Sequence, residues 1–317
     1  MKISIIGAGN VGATAAQIIA TEDLADEIVL LDVREGVAEG KAMDIAQALV
    51  NAPKSWMHDT VVTGVTNNYD ATDGSDIVII TSGVPRKPGM TREELVGVNS
   101  GVVKSVIENI KPHTTDKTIY IIVSNPMDTM TYLVHKLLPD VPSSRIIGMG
   151  GLLDSARFAY YIKKATGRFG KNSRITAHVV GGHGDATMVP LMSSAIIDGE
   201  YVTDIVTPEE ADNIIASTMK GGATMTSLLG TSAWVAPAQA IAAQAIAALV
   251  EMIVLNKHAI CACSVLDKSY DVCIGKLVFI GRAGIIDDVR MSMNPREHEK
   301  FLAAIDAVKK VNEAIVY

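Results

Sequence analysis

The sequence predicts an α/β fold in which a doubly wound parallel sheet is followed by an α+β second half. Strand-length apolar runs alternate with helical stretches in the first half, which is typical of a parallel sheet covered by helices on both faces. These runs are Lys2–Ile6, Glu27–Leu31, Ile77–Thr81, Thr118–Ser124 and Arg145–Ile147. At 317 residues the chain exceeds the usual size of one hydrophobic core. We therefore expect two domains, residues 1–144 and 145–317.

Residues after 144 mix strands with long helices, which predicts the α+β arrangement. The predicted elements are a helix at Leu152–Thr166, a strand at Ile175–Val180, a helical region at Pro208–Leu255, strands at Ala259–Leu266 and Lys276–Ile280, and a helix at Pro295–Ile315. Within the helical region, Ala236–Leu255 is apolar enough to suggest a membrane span. Pro237, Gln239, Gln244 and Glu251 interrupt it, so we expect a close-packed helix or a subunit contact instead.

The most specific motif is Gly7-Ala-Gly-Asn-Val-Gly12, which follows the first strand and opens a helix. Asp32 ends the next strand, 20 residues beyond Gly12. Dinucleotide binding requires this context: Gly7 permits the tight turn, Gly9 admits the pyrophosphate and Gly12 allows close helix packing. The Asp32 carboxylate can bind the ribose hydroxyls and repel a 2′-phosphate, which predicts NAD over NADP, whereas Arg34 argues the other way. A glycine-rich turn that binds nothing is the alternative.

Composition limits the partners that the protein can have. With a net charge of −7, 48% hydrophobic residues and 20% charged residues, the chain has no general attraction to nucleic acid or to an anionic membrane. Cys261, Cys263 and Cys273 have no metal-binding spacing, and the histidines show no ligand pattern. We therefore expect no metal site and a reducing, cytoplasmic location.

Candidate binding residues lie in loops beyond the carboxyl ends of strands, where open α/β sheets bind their ligands. The loop Ser82–Arg92 contains three cations, Arg86, Lys87 and Arg92, and can close over an anion as a mobile lid. A solvated basic loop is the alternative. Asn125, which precedes a proline, can donate and accept hydrogen bonds, although a plain strand-ending turn explains it equally well.

His183 is the candidate proton carrier. It follows an apolar strand within Gly181-Gly-His-Gly-Asp185, where the glycines leave room for a ligand. Asp154 and Arg157 lie three residues apart at the start of a helix and share one face. A carboxylate paired with a histidine orients the ring and stabilises its cation, which suits proton exchange near neutral pH. A structural histidine is the alternative, but the dinucleotide motif in the same chain favours catalysis.

Taken together, these motifs make the chain resemble the NAD-dependent lactate/malate dehydrogenase family nearly end to end. The segments that carry the resemblance are Gly7–Gly12, Pro85–Arg92, Val123–Pro126, Leu153–Arg157 and Gly182–Asp185. The resemblance implies a Rossmann-type NAD-binding domain, a substrate-binding α+β domain and a homo-oligomer, either a dimer or a tetramer. It also implies reversible hydride transfer between a 2-hydroxy acid and NAD.

By that resemblance, His183 would transfer the proton, with Asp154 as its partner. The implied substrate-binding residues are Arg86, Arg92, Asn125 and Arg157, and the implied cofactor-binding residues are Gly7, Gly9, Asn10, Val11, Gly12, Asp32, Asn99, Val123 and Asn125. Arg86 occupies the family's discriminating position, where lactate dehydrogenases typically carry glutamine. A second cation suits a second carboxylate, so the resemblance implies malate and oxaloacetate as substrates. A lactate or broader 2-hydroxy-acid dehydrogenase and a non-catalytic dinucleotide-binding sensor are the alternatives.

Overall fold

The first half of the chain alternates strands with helices. The computed structural model describes residues 1–50, 59–84, 90–229 and 240–315. The first strands are β1 (Lys2–Ile6), β2 (Glu27–Asp32), β3 (Val61–Thr66), β4 (Ile77–Ile80), β5 (Ile119–Ile122) and β6 (Ile146–Gly148). The first helices are α1 (Asn10–Thr21), α2 (Val37–Val50), α3 (Arg92–Ile110), α4 (Met127–Leu137) and α5 (Gly150–Thr166).

These six strands are parallel and lie in the order β3-β2-β1-β4-β5-β6. The order reverses between β1 and β4, so the loops that follow these two strands lead away in opposite directions. That reversal opens a crevice at the carboxyl ends of the strands, where such sheets bind their ligands. The predicted doubly wound parallel sheet is confirmed.

Alternate residues of the central strands face different helical layers, because successive strand side chains point to opposite faces. Ile77 and Ile79 of β4 join a core that includes residues of α1 and α2. Val78 and Ile80 join a second core with residues of α3 and α4. All four side chains are fully or almost fully buried. Burial on both faces therefore explains why these strands are continuously apolar.

Among the described residues, the second half contributes eight strands and four α-helices. The strands are β7 (Ile175–Thr176), β8 (Val179–Gly181), β9 (Met188–Pro190), β10 (Ile196–Ile197), β11 (Glu200–Tyr201), β12 (Ala259–Asp267), β13 (Val272–Gly281) and β14 (Gly284–Asp288). The helices are α6 (Val202–Ile205), α7 (Pro208–Leu229), α8 (Ala240–Val254) and α9 (Pro295–Asn312). Among the described residues, no helix has the length and apolar character to cross a membrane.

One sheet runs through both halves of the chain. β12 pairs antiparallel with β6, where Ser264 lies opposite Gly148, and β13, β8 and β9 extend the sheet further. Helix α8 packs beside α1 in the core on one face of the sheet. The domain boundary between residues 144 and 145 stays a prediction.

The first-half strand β3 is not among the predicted strands. β3 is an edge strand that is only partly buried, so it lacks a continuous apolar run. Gly64 lies at its centre, and a Cβ atom there would stand 2.2 Å from the backbone oxygen of Ala38 in α2. Close packing of α2 therefore requires a glycine, which reads as a strand breaker in the sequence.

One predicted strand of the second half is divided. The predicted strand Ile175–Val180 forms two strands in different sheets, because β7 pairs with β10 whereas β8 pairs with β13 and β9. The predicted helical region contains α7 and α8, and residues 230–239 between them lie outside the described residues.

Candidate active site

The glycine motif forms a tight turn between β1 and α1. Gly7 has a φ of +114°, and a Cβ atom on Gly12 would stand 2.0 Å from the backbone oxygen of Gly7. Thr81, directly after β4, donates a hydrogen bond from Oγ1 to that same oxygen at 2.9 Å. The turn thus fits only with glycine at both positions, which is the close helix packing that the motif predicts.

The N-terminus of α1 is suited to bind the phosphates of a dinucleotide. A Cβ atom on Gly9 would meet nothing within 4 Å, so the space above the turn is open. Among the described residues, no side chain caps this helix end, which begins at the exposed Asn10 beside the half-buried Val11. Helix N-termini attract anions through their unpaired amides and the helix dipole. The turn therefore fits the pyrophosphate of NAD.

Asp32 extends from the end of β2 toward the glycine turn. Its Oδ2 atom accepts a hydrogen bond from the amide of Ala8 at 2.9 Å, and its Oδ1 atom accepts one from the Arg34 Nε at 3.1 Å. Burial raises the pKa of Asp32, but the hydrogen bonds and charge of Arg34 outweigh it, so the pKa lies below its usual value. A carboxylate is thus held at the position where the sequence predicts contact with the adenosine ribose.

Asn99 connects the loop after β4 to the loop after β5 by hydrogen bonds. This buried α3 side chain donates from Nδ2 to the backbone oxygens of Asn125 at 2.6 Å and Val84 at 3.2 Å, and its Oδ1 accepts the Val84 amide at 2.8 Å. Its amide group is therefore occupied by the protein itself. The Asn125 side chain is exposed, its bond to the following proline is cis, and Val123 nearby is half-buried.

The lid cations lie mostly outside the described residues. Arg86 belongs to residues 85–89, which are outside them, as is the side chain of Arg92. The backbone of Arg92 begins α3, where Thr91 accepts the Glu94 amide at 3.1 Å and Glu94 accepts the Thr91 amide at 2.8 Å. This capping box fixes the start of the helix that carries Arg92. The substrate contacts of Arg86 and Arg92 stay predictions.

His183, Asp154 and Arg157 form one connected cluster. The Nδ1 atom of His183 lies 2.6 Å from Oδ2 of Asp154, and Nη1 of Arg157 lies 3.0 Å from the other oxygen, Oδ1. The Asp154 side chain is only 2% exposed, against 17% for His183 and 15% for Arg157. The carboxylate is thus buried below two side chains that retain access to solvent.

The electrostatics of this cluster favour a protonated imidazole. Burial lowers the pKa of His183, but the charge and hydrogen bond of Asp154, together with the charge of Asp128, outweigh it, so the net pKa lies above the usual histidine value. Arg157 opposes this shift only weakly. A histidine with such a pKa can hold or release a proton near neutral pH, as general acid–base catalysis requires.

Local packing sets the orientation of His183. A Cβ atom on Gly150, which follows β6, would stand 2.6 Å from Cγ of the imidazole, so only glycine admits the ring there. Ser155, beside Asp154 on α5, accepts the Val179 amide of β8 at 2.9 Å, which ties the histidine's strand to the aspartate's helix. These two contacts hold His183 and Asp154 together, although the two residues come from separate segments of the chain.

Two further polar residues lie at this site that the sequence did not single out. Asp128, in the first turn of α4, accepts the backbone amide of His183 at 2.6 Å, and Ser264 of β12 donates to Asp128 at 2.6 Å. Asp128 follows Asn125 by three residues, so its place at a helix start was the available signal. Ser264 carried none, because it sits within an apolar strand.

Four predicted residues, together with Thr81, line one edge of the parallel sheet in strand order. Asp32 lies at the end of β2, Gly7 after β1, Thr81 after β4 and Asn125 after β5, and His183 packs on the residue two positions beyond β6. Four strand spacings separate β2 from β6, or about 19 Å. The crevice is therefore long enough for an extended dinucleotide with the histidine at its far end. Among the described residues, no His, Cys, Asp and Glu cluster could hold a metal ion.

Two family models match this chain over nearly its whole length. The model of the lactate/malate dehydrogenase NAD binding domain matches residues 1–148, and that of the lactate/malate dehydrogenase alpha/beta C-terminal domain matches residues 152–316. A malate dehydrogenase from Bacteroides fragilis is 48% identical over 318 residues, covering 99% of this chain and 97% of the relative.

Solved structures of both kinds of enzyme share the fold. The malate dehydrogenase of Cryptosporidium parvum aligns with a TM-score of 0.88 at 34% identity, covering 99% of this chain and 98% of that one. The lactate dehydrogenase of the same organism, solved with lactic acid and nicotinamide adenine dinucleotide, aligns with the same TM-score of 0.88 at 29% identity, covering 99% and 97%. Backbone similarity therefore does not distinguish the two substrates.

Proposed function

This chain belongs to the lactate/malate dehydrogenase family of NAD-dependent oxidoreductases, and on that premise we propose that it interconverts (S)-malate and oxaloacetate. The observation that carries the catalytic part of this proposal is the 2.6 Å contact between His183 and the buried Asp154 at the edge of the dinucleotide crevice. A sensor that only bound NAD would need no buried carboxylate behind an accessible histidine.

In the proposed reaction His183 acts as the proton acceptor during malate oxidation. Its Nδ1 faces Asp154, so Nε2 is the nitrogen left to take the proton from the C2 hydroxyl of malate. The imidazolium that forms is stabilised by the Asp154 carboxylate. In the reverse direction the same imidazolium returns the proton to the oxaloacetate carbonyl oxygen.

NAD held by the Gly7–Gly12 turn and Asp32 would supply the acceptor for the hydride at C2 of malate. The protein positions the two reactants and stabilises charge, and these contributions lower the barrier. Arg157 binds the C1 carboxylate of the substrate in this proposal. Its guanidinium has five N–H donors, so it can keep the 3.0 Å bond to Asp154 while it holds a carboxylate.

The lid supplies the remaining contacts in the proposal. Arg92 stabilises charge on the reacting oxygen, Asn125 donates a hydrogen bond to the substrate and Arg86 pairs with the C4 carboxylate. The last contact is the basis for choosing malate over lactate, since lactate has a methyl group at that place. Bidentate recognition of carboxylates is a common use of arginine.

A direct assay tests the substrate. Purified protein is mixed with NADH and with either oxaloacetate or pyruvate, and the loss of NADH absorbance is followed. We expect kcat/KM for oxaloacetate to exceed that for pyruvate by more than about tenfold, since the second carboxylate gains an ion pair worth over ~1.4 kcal/mol in the transition state. A preference for pyruvate would favour the lactate dehydrogenase alternative, and turnover of neither would favour the sensor.

We also propose a homo-oligomer in the cytoplasm. A cavity of about 1030 Å³ lies between α5, α8 and β12, lined by apolar side chains that include Leu152, Ala159, Ile241, Ala245 and Ile260. Among the described residues that line it, neither His183 nor Arg157 is present. An apolar concavity of this size suits contact with a second copy of the chain. Light scattering during gel filtration measures the subunit number, and a monomer would contradict this part.

A further inference from the structure

Asp128 is a buried carboxylate that lies behind the candidate proton carrier. It is 6% exposed. Its Oδ2 accepts the backbone amide of His183 and its Oδ1 accepts the hydroxyl of Ser264, both at 2.6 Å. The two oxygens thus join α4, the loop after β8 and strand β12. Asp154 holds the imidazole ring, whereas Asp128 holds the backbone of the same residue.

The anchor on the far side of Asp128 is rigid. Ser264 is fully buried and lies opposite Gly148 where β12 joins β6. A Cβ atom on Gly148 would stand 2.8 Å from Cβ of Ser264, so the strands are in close contact at this point. A hydrogen bond from such a hydroxyl fixes the carboxylate more firmly than an exposed partner would.

We propose that Asp128 is a positioning residue for the proton-transfer step, which fixes the His183 backbone and places a second negative charge beside the imidazole. The inference rests on the proposed function, because it takes His183 as the proton carrier. Asp128 itself does not touch the substrate in this account, and it acts through His183 alone.

The charges around His183 agree with this role. Asp154 and Arg157 face the imidazole from α5, and Asp128 faces it from α4. Asp154 and then Asp128 raise the pKa of His183 against the lowering by burial, and Arg157 lowers it weakly. The thiol of Cys273 on β13 also lies near Asp128, and burial raises its pKa, so it stays neutral at neutral pH.

Opposing effects act on the ionisation of Asp128. Burial raises the pKa of Asp128 above its usual value, and the charge of Asp154 adds to that effect, whereas the hydrogen bonds from Ser264 and His183 and the charge of His183 oppose it in part. The residue also sits in the first turn of α4, where the helix dipole favours a negative group. In the structure both oxygens act as hydrogen-bond acceptors, from the His183 amide and the Ser264 hydroxyl, as the oxygens of a carboxylate do.

The variant Asp128→Asn removes the charge and keeps the size of the side chain. We expect the pKa seen in the pH profile of kcat/KM to fall by about half a unit or more, in both directions of the reaction. The alkaline limb of oxaloacetate reduction and the acid limb of malate oxidation both move to lower pH. Above the pKa, oxaloacetate reduction should drop by about threefold or more, while the dissociation constant of NADH stays unchanged.

Glu297→Gln is the matched control. Glu297 is also a buried carboxylate, and it likewise accepts a backbone amide and a hydroxyl, both from Ser193, at 2.9 and 2.5 Å. Glu297 lies at the start of α9, away from His183. The Glu297→Gln variant therefore measures the effect of removing a buried carboxylate that does not contact His183. We expect no shift of either limb in this control. A shift in Asp128→Asn no larger than that in Glu297→Gln would overturn the proposal.

Two further variants keep the test decisive. His183→Asn, measured in parallel, tests the proposed function by itself. If His183→Asn loses turnover but Asp128→Asn shows no shift, the proposed function stands and only the positioning role of Asp128 fails. If Asp128→Asn does not fold, Ser264→Ala removes one anchor and leaves the carboxylate. Positioning predicts that kcat for oxaloacetate falls by about threefold or more at unchanged NADH affinity. A loss of thermal stability with unchanged kcat would overturn it.

Discussion

The buried carboxylate of Asp154 lies 2.6 Å from Nδ1 of His183, although the two residues come from separate segments, helix α5 and the loop after β8. The same carboxylate also binds Arg157 at 3.0 Å. One residue therefore fixes both the proposed proton carrier and the proposed carboxylate-binding arginine. Substituting His183 and substituting Asp154 should therefore have different, measurable effects on activity.

The variant His183→Asn should lose nearly all turnover, because asparagine cannot exchange a proton with the substrate near neutral pH. NADH binding, measured by fluorescence titration, should stay near the wild-type value, since the dinucleotide turn is untouched. His113→Asn is the control, because His113 also lies 2.6 Å from a carboxylate, Asp73, at a different place. Substantial turnover in His183→Asn would show that another group carries the proton.

The variant Asp154→Asn should retain partial activity with an altered pH profile. Asp154 raises the pKa of His183, so its neutralisation lowers that pKa. Oxaloacetate reduction needs the imidazolium, so its decline at alkaline pH should start at a lower pH than in the wild type. Malate oxidation needs the neutral ring, so its rise from acid pH should also occur at a lower pH. Profiles of kcat/KM in both directions measure the shift. A shift toward higher pH would contradict the pairing.

The enzyme should prefer NAD to NADP, because the Asp32 carboxylate at the ribose position repels a 2′-phosphate. Arg34 binds that carboxylate through Nε at 3.1 Å and compensates part of its charge. Arg34→Ala should therefore increase the ratio of kcat/KM for NAD over NADP, and Asp32→Asn should decrease it. Equal specificity constants for the two cofactors in the wild type would count against the role of Asp32.

His135 should make the fold sensitive to acid. Burial lowers its pKa from 6.5 to about 4, and among the described residues nothing bonds to its Nε2. As the pH falls below 6.5, His135 becomes protonated in the unfolded chain, whereas in the folded protein it stays neutral until about pH 4. The free energy of unfolding should therefore fall by up to about 1.4 kcal/mol per pH unit over that range.

The variant His135→Gln removes this titration and keeps a polar side chain. Between pH 7 and pH 5 its unfolding free energy should fall less than that of the wild type, by about 2 kcal/mol. Urea titrations at the two pH values measure the difference. His298→Gln on the exposed face of α9 is the control. An equal acid sensitivity in His135→Gln and the wild type would rule out His135 as the cause.

Sequence reasoning predicted the parts of this molecule that local pattern determines. The strands buried on both faces, such as β1 and β4, are continuously apolar, and the glycine turn needs glycine for steric reasons that its spacing already shows. The edge strand β3 was missed because none of its residues is fully buried, so it has no continuous apolar run. Its central Gly64, required by the approach of α2, looks like a turn residue in isolation.

The candidate site was predictable only in part for the same reason. His183, Asp154 and Arg157 stand in motifs whose residue types indicate proton transfer and anion binding. Asp128 binds the backbone amide of His183, which lies 55 residues later in the chain, and Ser264 binds Asp128 from a distance of 136 residues. Such contacts depend on how β6, β12 and α4 are packed together, and no local pattern encodes that packing.

The choice of malate over lactate rests on Arg86, so the effect of Arg86→Gln on substrate preference tests the central claim most directly. The measurement is the ratio of kcat/KM for oxaloacetate to that for pyruvate, in the wild type, in Arg86→Gln and in Lys87→Gln, a control that removes a neighbouring cation. We predict that Arg86→Gln lowers the ratio by more than tenfold, about 1.4 kcal/mol in transition-state discrimination, while Lys87→Gln leaves it unchanged. A change of less than about tenfold, or an equal change in Lys87→Gln, would contradict Arg86 as the specificity residue and malate as the preferred substrate.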